Sequence, residues 1–251
     1  MLKLFMGLPL VAGLAVSGPA SAMVVSAGDP TFDVFWSCGG GGGCNQSAVN
    51  LPPSPLSATG TFGNFAFSNG GTTFRMDVTI ENTTPQGSLS TADWQSTRLT
   101  AIGFDTLPDA TGISTTSTIY PTAVLEDTFP SFMKVDVCTS SGTQNCAGGA
   151  SGGTFPDGSG VSPNSDAFTL TLTGLPSGTT SIDLGTDVAG GTELFDAKFQ
   201  TGYGSFEFQN SPGSPPPTDT PEPGTLALLG SFLVVLGIAS TRRHCATLRT
   251  A

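Results

Sequence analysis

Histidine is the residue on which most acid–base and nucleophilic sites at neutral pH depend. This chain has one, His244, close to its C-terminus. A Ser-His-Asp or Cys-His site therefore has no base in the body of the protein. Gly149-Ala150-Ser151-Gly152-Gly153 does spell G-x-S-x-G. A nucleophile elbow, however, needs a strand before it, a helix after it and a histidine elsewhere. Here the motif lies in the low-complexity run Gly148–Gly153 and reads as a loop. Glycoside hydrolysis needs two carboxylates astride a bond. The body carries many acidic residues and nothing singles out a pair. Glu126 and Asp127 are candidates by adjacency alone, and a solvated loop accounts for them. No catalytic residue is assigned, and the chain is not expected to be an enzyme.

Metal chemistry is equally sparse. No stretch matches D-x-[DN]-x-[DN]-G. Asp105 and Asp109 flank Pro108, and Asp183 and Asp187 flank Gly185. Either pair could lend oxygen ligands to calcium; no other cofactor is expected. Cys38, Cys44, Cys138 and Cys146 lack Cys-x2-Cys spacing and histidine partners, which argues against zinc. Four cysteines allow three disulfide connectivities. Local pairing, Cys38–Cys44 and Cys138–Cys146, is the expectation, because each pair brackets a glycine-rich or turn-rich loop. Carbohydrate platforms would have to come from Trp36, Trp94, Tyr120 and Tyr203. Trp94 sits in the polar stretch Thr91–Ser96 and could be exposed; a core or loop-plug role is the ordinary alternative.

The elements that would position these groups are strands. Phe74, Met76, Val78 and Ile80 alternate with Arg75, Asp77, Thr79 and Glu81, the pattern of a half-buried strand. Phe168, Leu170 and Leu172 alternate with threonines. Met133, Val135 and Val137 alternate with Lys134 and Asp136. Further strands are predicted at Thr31–Trp36, Thr59–Phe67, Arg98–Phe104, Ser114–Tyr120, Ile182–Leu184, Leu194–Gln200 and Ser205–Gln209. Turn clusters punctuate them at Asn69–Gly71, Asp157–Gly160 and Pro176–Gly178. No body segment shows a helical period of useful length. Eight to ten short strands predict a mainly β chain, a two-sheet antiparallel β-sandwich, with a barrel as the alternative.

Charge sharpens the class. All 19 acidic residues lie between Met23 and Pro223, beside four basic ones, Arg75, Arg98, Lys134 and Lys198, a balance of 4 − 19, or −15. Nucleic acid and anionic lipid require lysine and arginine clusters, so neither is an expected partner of the body.

The two ends carry addresses. Lys3, the apolar run Leu4–Val16 and the small residues Ala20 and Ala22 around Ser21 form a secretory signal peptide, 1–22, read by the Sec translocon. The exported domain is then 23–210, about 190 residues, enough for one sizeable core. Residues 211–220 are a Pro/Ser/Thr-rich linker whose Pro215-Pro216-Pro217 favours polyproline II, spanning about 30 Å. Pro221-Glu222-Pro223 follows, then a stretch, 224–241, without charge, then Arg242 and Arg243. As a helix that stretch covers about 27 Å, the thickness of a hydrocarbon core. The basic residues after it place the C-terminus in the cytoplasm, with 244–251, including Cys245, as a cytoplasmic tail.

Pro-Glu-Pro, a span and an arginine cluster, in that order, resemble the PEP-CTERM sorting tail of Gram-negative bacteria. The resemblance covers roughly Pro221 to Arg243, with eight residues beyond it where such tails usually end. It implies processing near Pro-Glu-Pro by an exosortase, an integral-membrane cysteine protease. Within the body, Leu99–Thr106, Val135–Cys138 and Asn145–Gly149 look like the exported domain of the cistern family of PEP-CTERM proteins. That family has a similar Gly-Phe-Asp-Thr segment and a paired-cysteine loop running into glycines. The likeness transfers no catalytic residue.

These readings converge on an exported structural or adhesive protein without catalytic activity. It would pass through an inner-membrane-anchored intermediate to the cell surface or extracellular matrix, with extracellular polysaccharide as a partner. The alternative expectation is a calcium-assisted glycan-binding module.

Overall fold

A computed structural model describes residues 23–38, 44–46, 55–129, 134–142, 146, 152–185 and 195–210. The signal peptide, the linker, the sorting motif, the predicted transmembrane helix and the cytoplasmic tail lie outside these residues. So do Ser151, Asp187 and the side chain of Cys44. Among the described residues no helix is long and apolar enough to cross a membrane. All of them belong to one compact unit, Met1–Pro216.

The chain is mainly β. The strands are β1 (Met23–Ser26), β2 (Phe32–Cys38), β3 (Cys44–Gln46), β4 (Leu56–Ser68), β5 (Thr73–Asn82), β6 (Arg98–Phe104) and β7 (Thr106–Leu107). They continue as β8 (Gly112–Thr115), β9 (Thr122–Thr128), β10 (Lys134–Ser140), β11 (Ser165–Thr173), β12 (Ser181–Leu184), β13 (Phe195–Thr201) and β14 (Gly204–Asn210). One short helix, α1 (Thr91–Ser96), interrupts them; Ser90 caps it by accepting a hydrogen bond from the Asp93 amide at 3.1 Å. A 3-10 turn at Asn69–Gly71 joins β4 to β5.

The described strands form three antiparallel sheets. A six-stranded sheet runs β3-β14-β13-β6-β10-β9 and a five-stranded sheet runs β2-β4-β5-β11-β8. The third, β1-β12-β7, has three short strands and was not foreseen in the two-sheet expectation. Four-residue β1 and two-residue β7 are too short to show an alternating pattern.

Alternation decides what each strand buries. On β5, Phe74, Met76, Val78 and Ile80 are buried, and their neighbours Arg75, Asp77, Thr79 and Glu81 turn outward. Asp77 accepts hydrogen bonds from Asn64 Nδ2 and Thr169 Oγ1, which hold its carboxyl below the usual range. The core joins the two larger sheets. Phe62 of β4 lies 5.9 Å from Phe104 of β6 and 5.1 Å from Phe195 of β13, both edge-on. Trp36 of β2 is fully buried and donates its indole N–H to the Phe195 carbonyl at 2.8 Å. Gly60 on β4 makes room for that indole: a Cβ there would stand 2.7 Å from Trp36 Cη2.

Candidate functional site

The hairpin β13–β14 carries the most unusual side chains in the described body. Gly202 and Tyr203 form its two-residue loop, with Thr201 opposite Gly204. Thr201 Oγ1 accepts from the Tyr203 amide at 2.9 Å and donates to the Gly204 carbonyl at 3.1 Å. A turn this tight fixes the register of both strands. It sets Lys198 opposite Glu207 and Phe199 opposite Phe206.

Period two then sorts the residues. Phe195, Ala197 and Phe199 of β13, with Phe206 and Phe208 of β14, belong to the main core. Asp196, Lys198 and Glu207 stand on the opposite face of the same sheet. The three residues are only 2%, 4% and 2% exposed. Lys198 Nζ lies 2.9 Å from Glu207 Oε1. Charged side chains are almost never this buried unless paired.

The neighbouring strands are small on this face. β6 places Ala101 opposite Lys198 and Gly103 opposite Asp196. β10 continues the rows with Ser140 opposite Ala101 and Cys138 opposite Gly103. Gly103 is glycine for space: a Cβ would meet Phe129 Cε2 at 2.6 Å. Cys138 is disulfide-bonded to Cys146, and both are fully buried with Ala101, Phe129 and Val135. The face is thus a second, smaller core holding one ammonium and two carboxylates.

The residues singled out from sequence have other duties. Glu126 and Asp127 are not in a loop but on β9. Glu126 pairs with Lys134 at 2.6 Å in the open, and that ammonium holds its carboxyl below the ordinary range. Asp127 accepts from the Cys146 amide at 2.7 Å and so tethers the disulfide loop. Asp105 accepts from the Asp136 amide, and Asp136 accepts from the Thr106 amide, at 3.1 and 2.9 Å. This reciprocal pair ties β10 to the end of β6. Asp109 is exposed, and Asp183 lies on β12 between β1 and β7. Among the described residues no group of three or more His, Cys, Asp or Glu side chains is placed to hold a metal ion. Cys38 is disulfide-bonded.

The aromatics are structural. Tyr120, predicted at the end of a strand, lies in a bend beyond β8 and is fully buried. Its hydroxyl donates to the Leu99 carbonyl at 3.0 Å and lies 2.9 Å from Thr154 Oγ1. Burial drives its pKa well above the usual phenol range. Trp94 is half-buried and plugs two loops: its indole donates to the Thr84 carbonyl at 2.9 Å and its ring faces Gly158. Tyr203 donates to Asp93 Oδ2 at 3.3 Å.

Sequence reasoning missed the cluster of Lys198, Glu207 and Asp196. The available signal was the pair of strands around Gly202-Tyr203, which fixes the facing residues, together with Ala101 and Gly103 on the next strand. No protein-family model, no curated protein and no solved structure matches this chain.

Proposed function

We propose that the protein is an exported structural or adhesive component of the cell surface or extracellular matrix, without catalytic activity. The observation that carries this reading is the order of features at the C-terminus: Pro221-Glu222-Pro223, an uncharged stretch, then Arg242 and Arg243. Such an order resembles a PEP-CTERM sorting tail, and the body segments around Gly103-Phe104-Asp105-Thr106 resemble the cistern family. In this reading the Sec translocon exports the chain, the tail holds it in the inner membrane, and an exosortase cuts near Pro-Glu-Pro.

The body supports a durable scaffold more than a reactive surface. Its five- and six-stranded sheets are read as the halves of a β-sandwich bolted by Trp36. Its candidate carboxylates are engaged in holding backbone amides or a lysine. The strongly acidic body suits solubility outside the cell.

The test is mass spectrometry of the mature protein from host membranes, cell surface and medium. The expected product begins near Met23, lacks Leu226–Ala239 and is found beyond the inner membrane. Retention of Leu226–Ala239 in all of the protein would restore a simple anchor. Robust hydrolytic turnover by the purified protein would overturn the non-catalytic role.

A further inference from the structure

We infer that Lys198 and Glu207 are the partners of an intramolecular isopeptide cross-link, formed by the protein itself between β13 and β14. The inference stands on the hairpin and does not depend on where the protein is sorted.

Four observations carry it. Nζ of Lys198 is already 2.9 Å from a carboxyl oxygen of Glu207. The carbon that Nζ would attack, Cδ, is bonded to that oxygen, so the two side chains are held side by side before any reaction. Second, both side chains are shut away from water, at 5% and 2% exposure. A buried ion pair must offset a large desolvation cost, and a neutral amide in its place removes both charges. Third, the hairpin register sets Lys198 directly opposite Glu207, so the two side chains leave adjacent strands at one level. Fourth, a second carboxyl, Asp196, is buried on the same face two residues from Lys198, about 7 Å along the strand.

The chemistry balances within the site. One proton passes from the Lys198 ammonium to the Glu207 carboxylate, leaving an amine and an acid. The nitrogen lone pair attacks Cδ, forming the C–N bond. The C–O bond to the hydroxyl then breaks, and that hydroxyl leaves as water with a second proton from nitrogen. Ammonium plus carboxylate becomes amide plus water, with no oxidant and no outside reagent. Asp196 is assigned the general acid–base role here: it carries the second proton from nitrogen to the departing hydroxyl. Exclusion of water afterwards protects the amide from hydrolysis.

The experiment uses the full chain, expressed with its leader and purified from membranes or medium. The protein is reduced, alkylated, denatured and digested with trypsin. The expected result is no cleavage after Lys198 and a peptide lighter by one water, with fragmentation joining Lys198 to Glu207. Lys198→Arg keeps a cation opposite Glu207 but cannot condense in this way. It should fold by circular dichroism and show the full mass. Asp196→Asn should fold and show a slowed or incomplete loss of water. Folded wild-type protein that trypsin cleaves fully after Lys198 overturns the proposal. So does a water loss that persists in Lys198→Arg. Asp196→Asn that links as completely and as fast as wild type removes the shuttle role.

Discussion

Lys198 and Glu207 are buried as an ion pair. Lys198→Met should strand a buried carboxylate and cost about 3–5 kcal/mol, read from denaturant midpoints. Adding Glu207→Leu to that variant should recover most of the loss, since an apolar pair of similar volume carries no desolvation cost. Gly60 and Trp36 form a second dependent pair. Gly60→Ala sets a methyl group 2.7 Å from the indole, and overpacking of this kind costs about 1–3 kcal/mol. In a Trp36→Phe background the same substitution should cost less, so a double-mutant cycle should show clear coupling. The two tyrosines offer a pH test. Burial raises the Tyr120 phenol far above its usual range, and desolvation, with the charge of Asp93 beside it, raises Tyr203 as well. Below about pH 10 both folded and unfolded chains hold the proton on Tyr120. Above it the unfolded chain alone ionises, so stability should fall as pH rises further. Absorbance titration should show Tyr120 ionising only with unfolding.

At the scale of elements, the strands with strict alternation were the legible ones. Phe74 to Ile80 mark β5, and Phe168 to Leu172 lie within β11. Asn69–Gly71 and Asp157–Gly160 do turn the chain. What escaped has physical reasons. β9 reads Thr-Ala-Val-Leu-Glu-Asp-Thr, without period two, and Glu126 adopts a positive φ of 55° that breaks the pattern. Ser114–Tyr120 shows β-branched residues, yet the chain leaves β11 after Thr116, and Tyr120 fills the core. α1 has six residues, too few for a helical period, and depends on its Ser90 cap and on Trp94. The site itself was half legible. Alternation separated Asp196 and Lys198 from the phenylalanines, but only the fold shows that their face is covered. The Cys138–Cys146 disulfide helps to cover its β10 side. Replacing Cys138 and Cys146 by alanine should lower stability by about 2–3 kcal/mol in the loop-entropy model. Thermal melts of that variant, with wild type under reducing conditions as comparison, check it.

At the scale of the whole molecule, charge is the dominant property. Residues 23–223 set 19 acidic residues against four basic ones, one of which, Lys198, is buried. The remaining surface should repel itself, so the melting temperature should rise between low and physiological salt as screening sets in. The same surface should bind neither duplex DNA nor vesicles of anionic lipid, which co-sedimentation measures directly. Measurable binding to either at physiological salt would contradict the charge argument.

The two-residue loop at Gly202 and Tyr203 has a consequence for how the hairpin finds its partner alignment. A slip of one residue would bring Lys198 against a phenylalanine and turn Glu207 toward the phenyl core. Each charge would then be buried alone, at a cost of several kcal/mol. The pair therefore works as a proofreader during folding. As an ion pair its favourable energy in the correct register is small, but every misaligned hairpin meets a heavy penalty, and one alignment alone escapes it.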